Sequence, residues 1–278
     1  MIVMVPMRAF FGAAAIVFVA CMAAEVRADD ASPWQKDAHS AIRLLAGSRS
    51  GTVLLGGIAI QLQDGWKTYW RTPGDSGVPP RFDFSKSENV EAVTVMWPAP
   101  RQFDDGAGGT SLGYKHQVVL PLRIVAKNPD KPLTLRADIS YAVCEKLCIP
   151  VEAKAELAFA SVASTEDGAL SEALNAVPKP ANIGDPNPLT VRDVKREGKT
   201  GVVVDVTAPE AKEVSLFVEG PTPDWALPVP KLVGQSPGVK RFAFELEGLP
   251  PGASPDGAAL KLTLVGGDKS YEFNVNLN

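Results

Sequence analysis

The stretch that decides the fold is "LTLRADISYAVCEKLCIPVEAKAELAF", residues 133–159. Alternate residues of a strand face opposite sides of a sheet. On the way in, Leu133, Leu135, Ala137, Ile139, Tyr141 and Val143 share one face, and Thr134, Arg136, Asp138, Ser140, Ala142 and Cys144 share the other. On the way out, Ile149, Val151, Ala153, Ala155, Leu157 and Phe159 are apolar and alternate with Cys148, Pro150, Glu152, Lys154 and Glu156. Two strands patterned in this way predict a sheet with one face on a core. Both cysteines are expected on the other, polar face, within reach of solvent.

In one continuous strand the two cysteines would stand about 13 Å apart, at roughly 3.3 Å per residue. A disulfide needs Cα atoms within about 7 Å. A turn through Glu145, Lys146 and Leu147 places them opposite each other at the mouth of a hairpin. So short a loop removes little unfolded-chain entropy, so the bond's stabilising value falls at or below the low end of about 2–4 kcal/mol. Stability is therefore a weak reason for the pair, and a small ring on a polar face is open to an attacking thiolate. Lys146 would lower a neighbouring thiol's pKa and Glu145 would raise it. Three readings stand here: a structural bridge, an exchanging pair, or a metal site. C-x-x-x-C offers two thiolates to Cu(I) or zinc, but zinc usually takes four ligands and the only histidines are His39 and His116. His116 reads as a surface histidine.

Working outward, "GTVLLGGIAIQL" (51–62), "VEAVTVMW" (90–97) and "HQVVLPLRIV" (116–125) are further apolar runs separated by Gly, Pro, Asp and Asn. Their spacing predicts a β-sandwich over 29–163. "STEDGALSEALNAV" (164–177) changes period. Ser164 and Asp167 fit a capping box, and Leu170, Leu174 and Val177 fall on one helical face, so a short helix stopped by Pro178 is expected. "PKPANIGDPNP" (178–188) reads as a linker. Beyond it, strand-like runs such as "LTVRDVKR", "GVVVDVTA" and "YEFNVNLN" predict a second, smaller sandwich over 189–278. That unit has neither His nor Cys, which assigns any redox or metal chemistry to the first.

The 278 residues, with 24 Pro, 24 Gly and 45% hydrophobic content, suffice for two all-β cores without a disulfide to hold them. A net charge of −4 argues against nucleic acid. Residues 1–28 read as an export signal: Arg8, the apolar "AFFGAAAIVFVACMAA" (9–24) and a small-residue cleavage site at "VRA" (26–28). Cleavage there removes Cys21 and leaves Cys144 and Cys148 in an oxidising compartment, where a pair spends time as a disulfide. A lipoprotein signal ending at Cys21 is the alternative, with Phe18 a poor match to the usual Leu. No later run approaches 18 consecutive apolar residues, so the mature chain is expected to be periplasmic and not membrane-embedded.

Four motifs in order, "WKTYWRTPGDSGVPP" (66–80), "WPAPRQF" (97–103), "GYKHQVVLPLRI" (113–124) and "YAVCEKLCIPVEAKAEL" (141–157), resemble the periplasmic N-terminal domain of DsbD-type thiol-disulfide interchange proteins, particularly the ScsB-like branch. The resemblance covers residues 60–160. It implies an immunoglobulin-like sandwich whose Cys144 and Cys148 alternate between dithiol and disulfide as part of a protein-disulfide reductase system. Electrons would come from a membrane electron-conduit protein and pass to periplasmic thioredoxin-like proteins, with no cofactor or metal. Cys148 is favoured as the attacking residue, with Cys144 resolving. The resemblance also implies that Phe103, in "RQFDDGAGG" (101–109), is an aromatic cap over the pair. Tyr141 is a candidate lining residue, although parity puts it on the apolar face, where a core role is at least as good a reading. Trp66, Tyr69, Trp70 and Arg71 belong to the shared pattern as candidate partner contacts; core packing of Trp66 and Trp70 is the plainer reading. DsbD continues into a membrane conduit and a thioredoxin-like domain that this sequence lacks, so donor and acceptor would be separate proteins. The rival reading is a copper-handling or protein-binding sandwich in which the cysteines hold a metal or only the hairpin.

Overall fold

A computed structural model describes residue 1 and residues 29–104, 108–208 and 213–278. The expected export signal with Cys21 and the centre of the 101–109 loop lie outside the described residues. The first sandwich is built from β1 (Gln35–Lys36), β2 (Ser40–Ala46), β3 (Val53–Leu62), β4 (Lys67–Gly74), β5 (Arg81–Asp83) and β6 (Val90–Val95). It continues through β7 (Arg101–Asp104), β8 (Thr110–Lys115), β9 (Gln117–Ala126), β10 (Leu133–Cys144) and β11 (Cys148–Phe159). One sheet runs β1-β2-β3-β9-β6 and the other β11-β10-β4-β8-β7, with β5 also pairing on β10. Between them Ile42, Leu44, Ile58, Leu120, Leu122 and Ile124 meet Trp70, Leu112, Leu135, Ile139, Val143 and Phe159, all fully buried. The apolar face of β10 is the core face, as its alternation predicts.

Helix α1 (Asp167–Asn175) follows, and it differs from the expected one. No capping box forms: the N-cap is Glu166, without a side-chain bond. Asp167 instead accepts the Ser48 N–H at 2.8 Å, and Ser164 Oγ donates to the Ala46 carbonyl at 2.6 Å. Both polar side chains therefore fasten the helix start to the sandwich. The buried face is Leu170 with Ala173, whereas Leu174 stays exposed. Leu170 packs with Leu45 and Ala59, which docks the helix on the first sandwich.

The Pro-rich connection is also more structured than its composition suggests. It contains β12 (Lys179–Ala181), paired in parallel with β19 (Lys269–Asn276). Pro180 is tolerated because β12 is an edge strand and one side needs no donors. The second sandwich adds β13 (Thr190–Glu197), β14 (Gly201–Thr207), β15 (Val214–Glu219), β16 (Lys231–Ser236), β17 (Val239–Glu245) and β18 (Ala259–Gly266). Its sheets run β12-β19-β18-β15 and β13-β14-β17-β16 over a core of Val202, Val204, Leu216, Phe242, Leu262 and Phe273. The whole is an all-β chain of two immunoglobulin-like sandwiches.

The sandwiches share a packed seam. On β15, Leu216 and Val218 enter the second core while Phe217, of opposite parity, joins the first. Its ring centroid lies 5.9 Å from that of Trp70. Glu219 has the same parity as Phe217 and receives two bonds from Arg71, Nε to Oε1 at 2.8 Å and Nη2 to Oε2 at 2.7 Å.

Candidate active site

The hairpin register sets Cys144 opposite Cys148, with Cα atoms 4.2 Å apart and the sulfurs bonded. Glu145, Lys146 and Leu147 form the turn and are exposed. The two cysteines are unequal: Cys148 is exposed, whereas Cys144 is only 2% exposed. This corrects the expectation that parity leaves both thiols in solvent. The outer face of β10 is indeed polar up to Ser140, where β5 is its neighbour. At the end of β10 the neighbour becomes β4, which pairs Thr68 with Val143 and Lys67 with Cys144. Tyr69, two residues along β4, then clusters with Ala142 and Cys144 on that outer face.

The Tyr69 hydroxyl donates to Cys144 Sγ at 2.7 Å and lies 3.1 Å from Cys148 Sγ. Its ring is 3% exposed because the chain folds back over it. Gly77, at φ +131°, passes so close that a Cβ there would stand 2.3 Å from Tyr69 Cε1. The turn leading to it is tied to β8 by reciprocal bonds, Asp75 N–H to the Thr110 carbonyl and Thr110 N–H to Asp75 Oδ2, both 2.8 Å. Underneath, Gly113 pairs with Tyr69, and a Cβ at Gly113 would meet the Thr68 carbonyl at 1.9 Å. Two glycines thus fix where the tyrosine can lie.

The cysteine-bearing face continues across the sheet. Register puts Cys144, Lys67 and Lys115 in one row, Tyr69, Gly113 and Arg101 in the next, and Ser111 with Phe103 beyond. Lys67 is 8% exposed and donates to Ser111 Oγ at 2.8 Å. The Phe103 ring has Lys115 Nζ 4.7 Å and Lys67 Nζ 5.9 Å from its centroid. Phe103 therefore lies on the cysteine face, against the lysines that flank the disulfide. It is part of edge strand β7.

The remaining candidates are placed elsewhere. Tyr141 is buried on the opposite face of β10 from Cys144, its hydroxyl 2.7 Å from Ser40 Oγ and donating to Asp37 Oδ2 at 3.4 Å. Burial pushes its pKa up to about 12. It is a core residue and does not line the disulfide. Trp70 is wholly buried, and Trp66 packs on the core edge, stacked on His39 at 3.7 Å. Arg71 is committed inside the molecule to Glu219 and, at 2.6 Å, to Glu272, which corrects its reading as a partner contact. Burial and desolvation oppose its charge, but the two carboxylates hold its pKa above the ordinary range. Of the "WKTYWR" residues singled out, only Tyr69 reaches the sulfurs. Lys67 escaped notice, although its parity with Tyr69 was a usable signal. Among the described residues no three His, Cys, Asp or Glu gather as metal ligands; exposed His116 lies 3.5 Å from Asp64.

Residues 39–160 match the family described as thiol:disulfide interchange protein DsbD, N-terminal. The matched residues make up most of the first sandwich. Its cysteine pair, closed as a disulfide at a hairpin mouth, accords with thiol-disulfide interchange as the general chemistry of such a domain. The crystal structure of the N-terminal periplasmic domain of ScsB from Proteus mirabilis matches with a TM-score of 0.72 at 20% identity, covering 90% of this chain and 99% of that one. The likeness in fold therefore runs beyond the DsbD-type domain into the second sandwich. A conserved domain protein from Bacillus anthracis matches at 10% identity and a TM-score of 0.25, over 84% of this chain and 75% of that one. No curated protein matches the chain in sequence. Among the described residues no helix is long and apolar enough to cross a membrane.

Proposed function

We propose that this chain is a periplasmic thiol-disulfide interchange protein that relays electron pairs through Cys144 and Cys148, between a membrane electron-conduit protein and thioredoxin-like proteins. The observation that carries the reading is the asymmetry of the pair: Cys148 exposed at the hairpin mouth, Cys144 buried beneath a tyrosine hydroxyl that contacts both sulfurs. The apolar run and cleavage site of residues 1–28 support export, as does the fold likeness to a periplasmic domain.

The geometry suits stepwise exchange. A partner thiolate attacks Cys148 Sγ, a bond forms between the two proteins, and the Cys144–Cys148 bond breaks with its electron pair leaving on Cys144. A second partner thiolate then attacks the partner's own bridged sulfur and releases Cys148 as thiolate. The partner dithiol has become a disulfide, and this chain has gained two electrons and, after protonation, two protons. In the reverse direction the Cys148 thiolate attacks a partner disulfide and Cys144 resolves the mixed disulfide. In both directions the burial of Cys144 restricts the intermolecular bond to Cys148.

Equilibration with glutathione and reaction with a thioredoxin-like protein test this. The expected outcome is a reduction potential above about −300 mV, the upper edge of inert structural bridges. Cys144→Ser is expected to accumulate a mixed disulfide through Cys148, and Cys148→Ser to accumulate none. A potential well below that edge together with no exchange overturns the reading.

A further inference from the structure

Two exposed apolar side chains flank the one exposed sulfur. Among the described residues from β1 to β11, Leu147 and Val78 are the most exposed large hydrophobic side chains, at 76% and 52%. Leu147 immediately precedes Cys148 on the turn, and exposed Pro150 follows on the same face of β11 as Cys148. Val78 follows Gly77, where a Cβ would stand 2.9 Å from Cζ of Tyr69, and the hydroxyl of that ring contacts both sulfurs. A single exposed leucine needs no explanation. Apolar groups gathered around a sulfur open to exchange do. The approach to that sulfur is also directed. Tyr69 and the turn above it cover the pair on the Cys144 side. Cys148 begins β11, an edge strand that pairs with β10 alone among the described residues. At the tip of the hairpin Glu145 leans toward Gly65, where a Cβ would be 3.3 Å from Oε1, which leaves Leu147 at the end of the turn that meets the free edge. A partner sulfur therefore reaches Cys148 from the edge and the tip, past Leu147.

Resting on the exchange reading above, we infer that Leu147 is the residue by which this site selects protein partners over small thiols: it docks on an apolar surface around the reactive cysteine of a thioredoxin-like protein. The covalent geometry requires the contact. Bridged cysteines hold their Cα atoms within about 7 Å, and consecutive Cα atoms are about 3.8 Å apart, so a partner bonded to Cys148 brings its chain within about 11 Å of Leu147. That is close to the roughly 10 Å spacing of packed sheets, which side chains fill. A polar partner surface would lose its water against Leu147 and gain nothing in return, whereas an apolar one buries it. Val78 and Pro150 extend the same surface, and exposed Glu145 and Lys146 form its charged rim, the arrangement of an apolar contact centre within a polar border. Leu147 gives and receives no atom or electron in the exchange. It stabilises the encounter from which the partner thiolate attacks Cys148. Glutathione, a tripeptide, has too little surface to cover the leucine and gains nothing from it.

The test compares how fast the oxidised full chain, parent and Leu147→Ser, is reduced by a reduced thioredoxin and by glutathione. Leu147 lies outside the buried core, so Leu147→Ser keeps the fold. In the parent, thioredoxin should react faster than glutathione by more than the thiolate contents of the two reagents explain. In Leu147→Ser the thioredoxin-to-glutathione rate ratio should fall about tenfold, as when an interface anchor is truncated. Leu147→Met, apolar and of similar volume, should hold the ratio within about threefold of the parent. Both reagents attack the same disulfide, so a change in the reactivity of the pair or in the hairpin moves both rates and cancels in the ratio, while a lost docking contact does not. A ratio unchanged in Leu147→Ser, or lowered equally in Leu147→Met, overturns the inference and leaves the relay standing. A parent chain that does not react with thioredoxin at all overturns both.

Discussion

One hydroxyl of Tyr69 contacts both sulfurs, and the chemistry of the pair turns on it. Tyr69→Phe keeps the ring that packs on Ala142 and Cys144 and removes only the donor. A hydrogen bond to a charged group contributes about 1.5–3 kcal/mol, so reduction of the disulfide by glutathione should slow by about tenfold or more while the fold persists. Unchanged reduction kinetics in Tyr69→Phe would show that the hydroxyl only fills space. Parity foretold which faces of β10 Cys144 and Tyr141 occupy. The burial of Cys144 was not foretold, because it depends on which strand lies beside the end of β10, a long-range pairing that alternation does not encode. Two other tyrosines set an alkaline limit. Burial raises the pKa of Tyr141 to about 12 and that of Tyr114 well above the ordinary value, Tyr114 donating to the Pro98 carbonyl at 2.8 Å. A group with a raised folded pKa gives its full stabilisation below the unfolded value, about 10, and loses it as pH rises through the folded one. Urea midpoints should therefore fall between about pH 10 and 12, and less steeply in Tyr141→Phe.

At the scale of elements, the site is an assembly of β4, the turn after it and the β10–β11 hairpin. Gly77 is where the turn meets the tyrosine. Its positive φ and its 2.3 Å approach to the Tyr69 ring leave no room for a side chain. Gly77→Ala should cost about 1–3 kcal/mol by backbone strain alone, seen as a melting temperature lower by at least a few degrees. The displaced ring should also leave Cys144 more open to alkylation in the reduced protein. A variant that melts normally and protects Cys144 as well as the parent would contradict this account of the turn. Elements were the most legible level in the sequence: alternation reads the all-β character and the strands that flank the cysteines, and the change of period after residue 163 reads a helix. Legibility ended where a polar residue had a choice of partner. Asp167 had the spacing for a capping box, yet Ser48 competes for it across 119 residues and wins. The composition of 178–188 suggested a linker, but Pro180 lies on an edge strand, where proline is tolerated.

Over the whole molecule, the second sandwich bears on the redox site through its seam with the first. Strand β4 carries Lys67 and Tyr69 to the disulfide, places Trp70 in the core against Phe217, and continues with Arg71 and Thr72 bound to Glu219. Arg71 also stacks on the Trp70 ring at 4.4 Å and reaches Glu272, which pairs with Lys261 at 3.2 Å. No charge or hydropathy pattern announced this seam: the apolar run that contains Phe217 reads as an ordinary buried strand, and only its pairing partners decide which core receives each face. Because Phe217 and Val229 complete the first core, the two sandwiches should melt as one cooperative unit in calorimetry. Phe217→Ala removes a fully buried ring and should cost about 3–5 kcal/mol. With Glu219→Ala added, Arg71 loses its bidentate partner, and the single transition should separate into two, one for each sandwich. Weakening the seam should also loosen the end of β4, so the double variant is expected to alter disulfide reduction kinetics at temperatures where both sandwiches remain folded, although neither substitution touches a cysteine. Two independent transitions already present in the parent chain would refute the coupling. Separated transitions with parental reduction kinetics would confine the second sandwich to stabilising its neighbour.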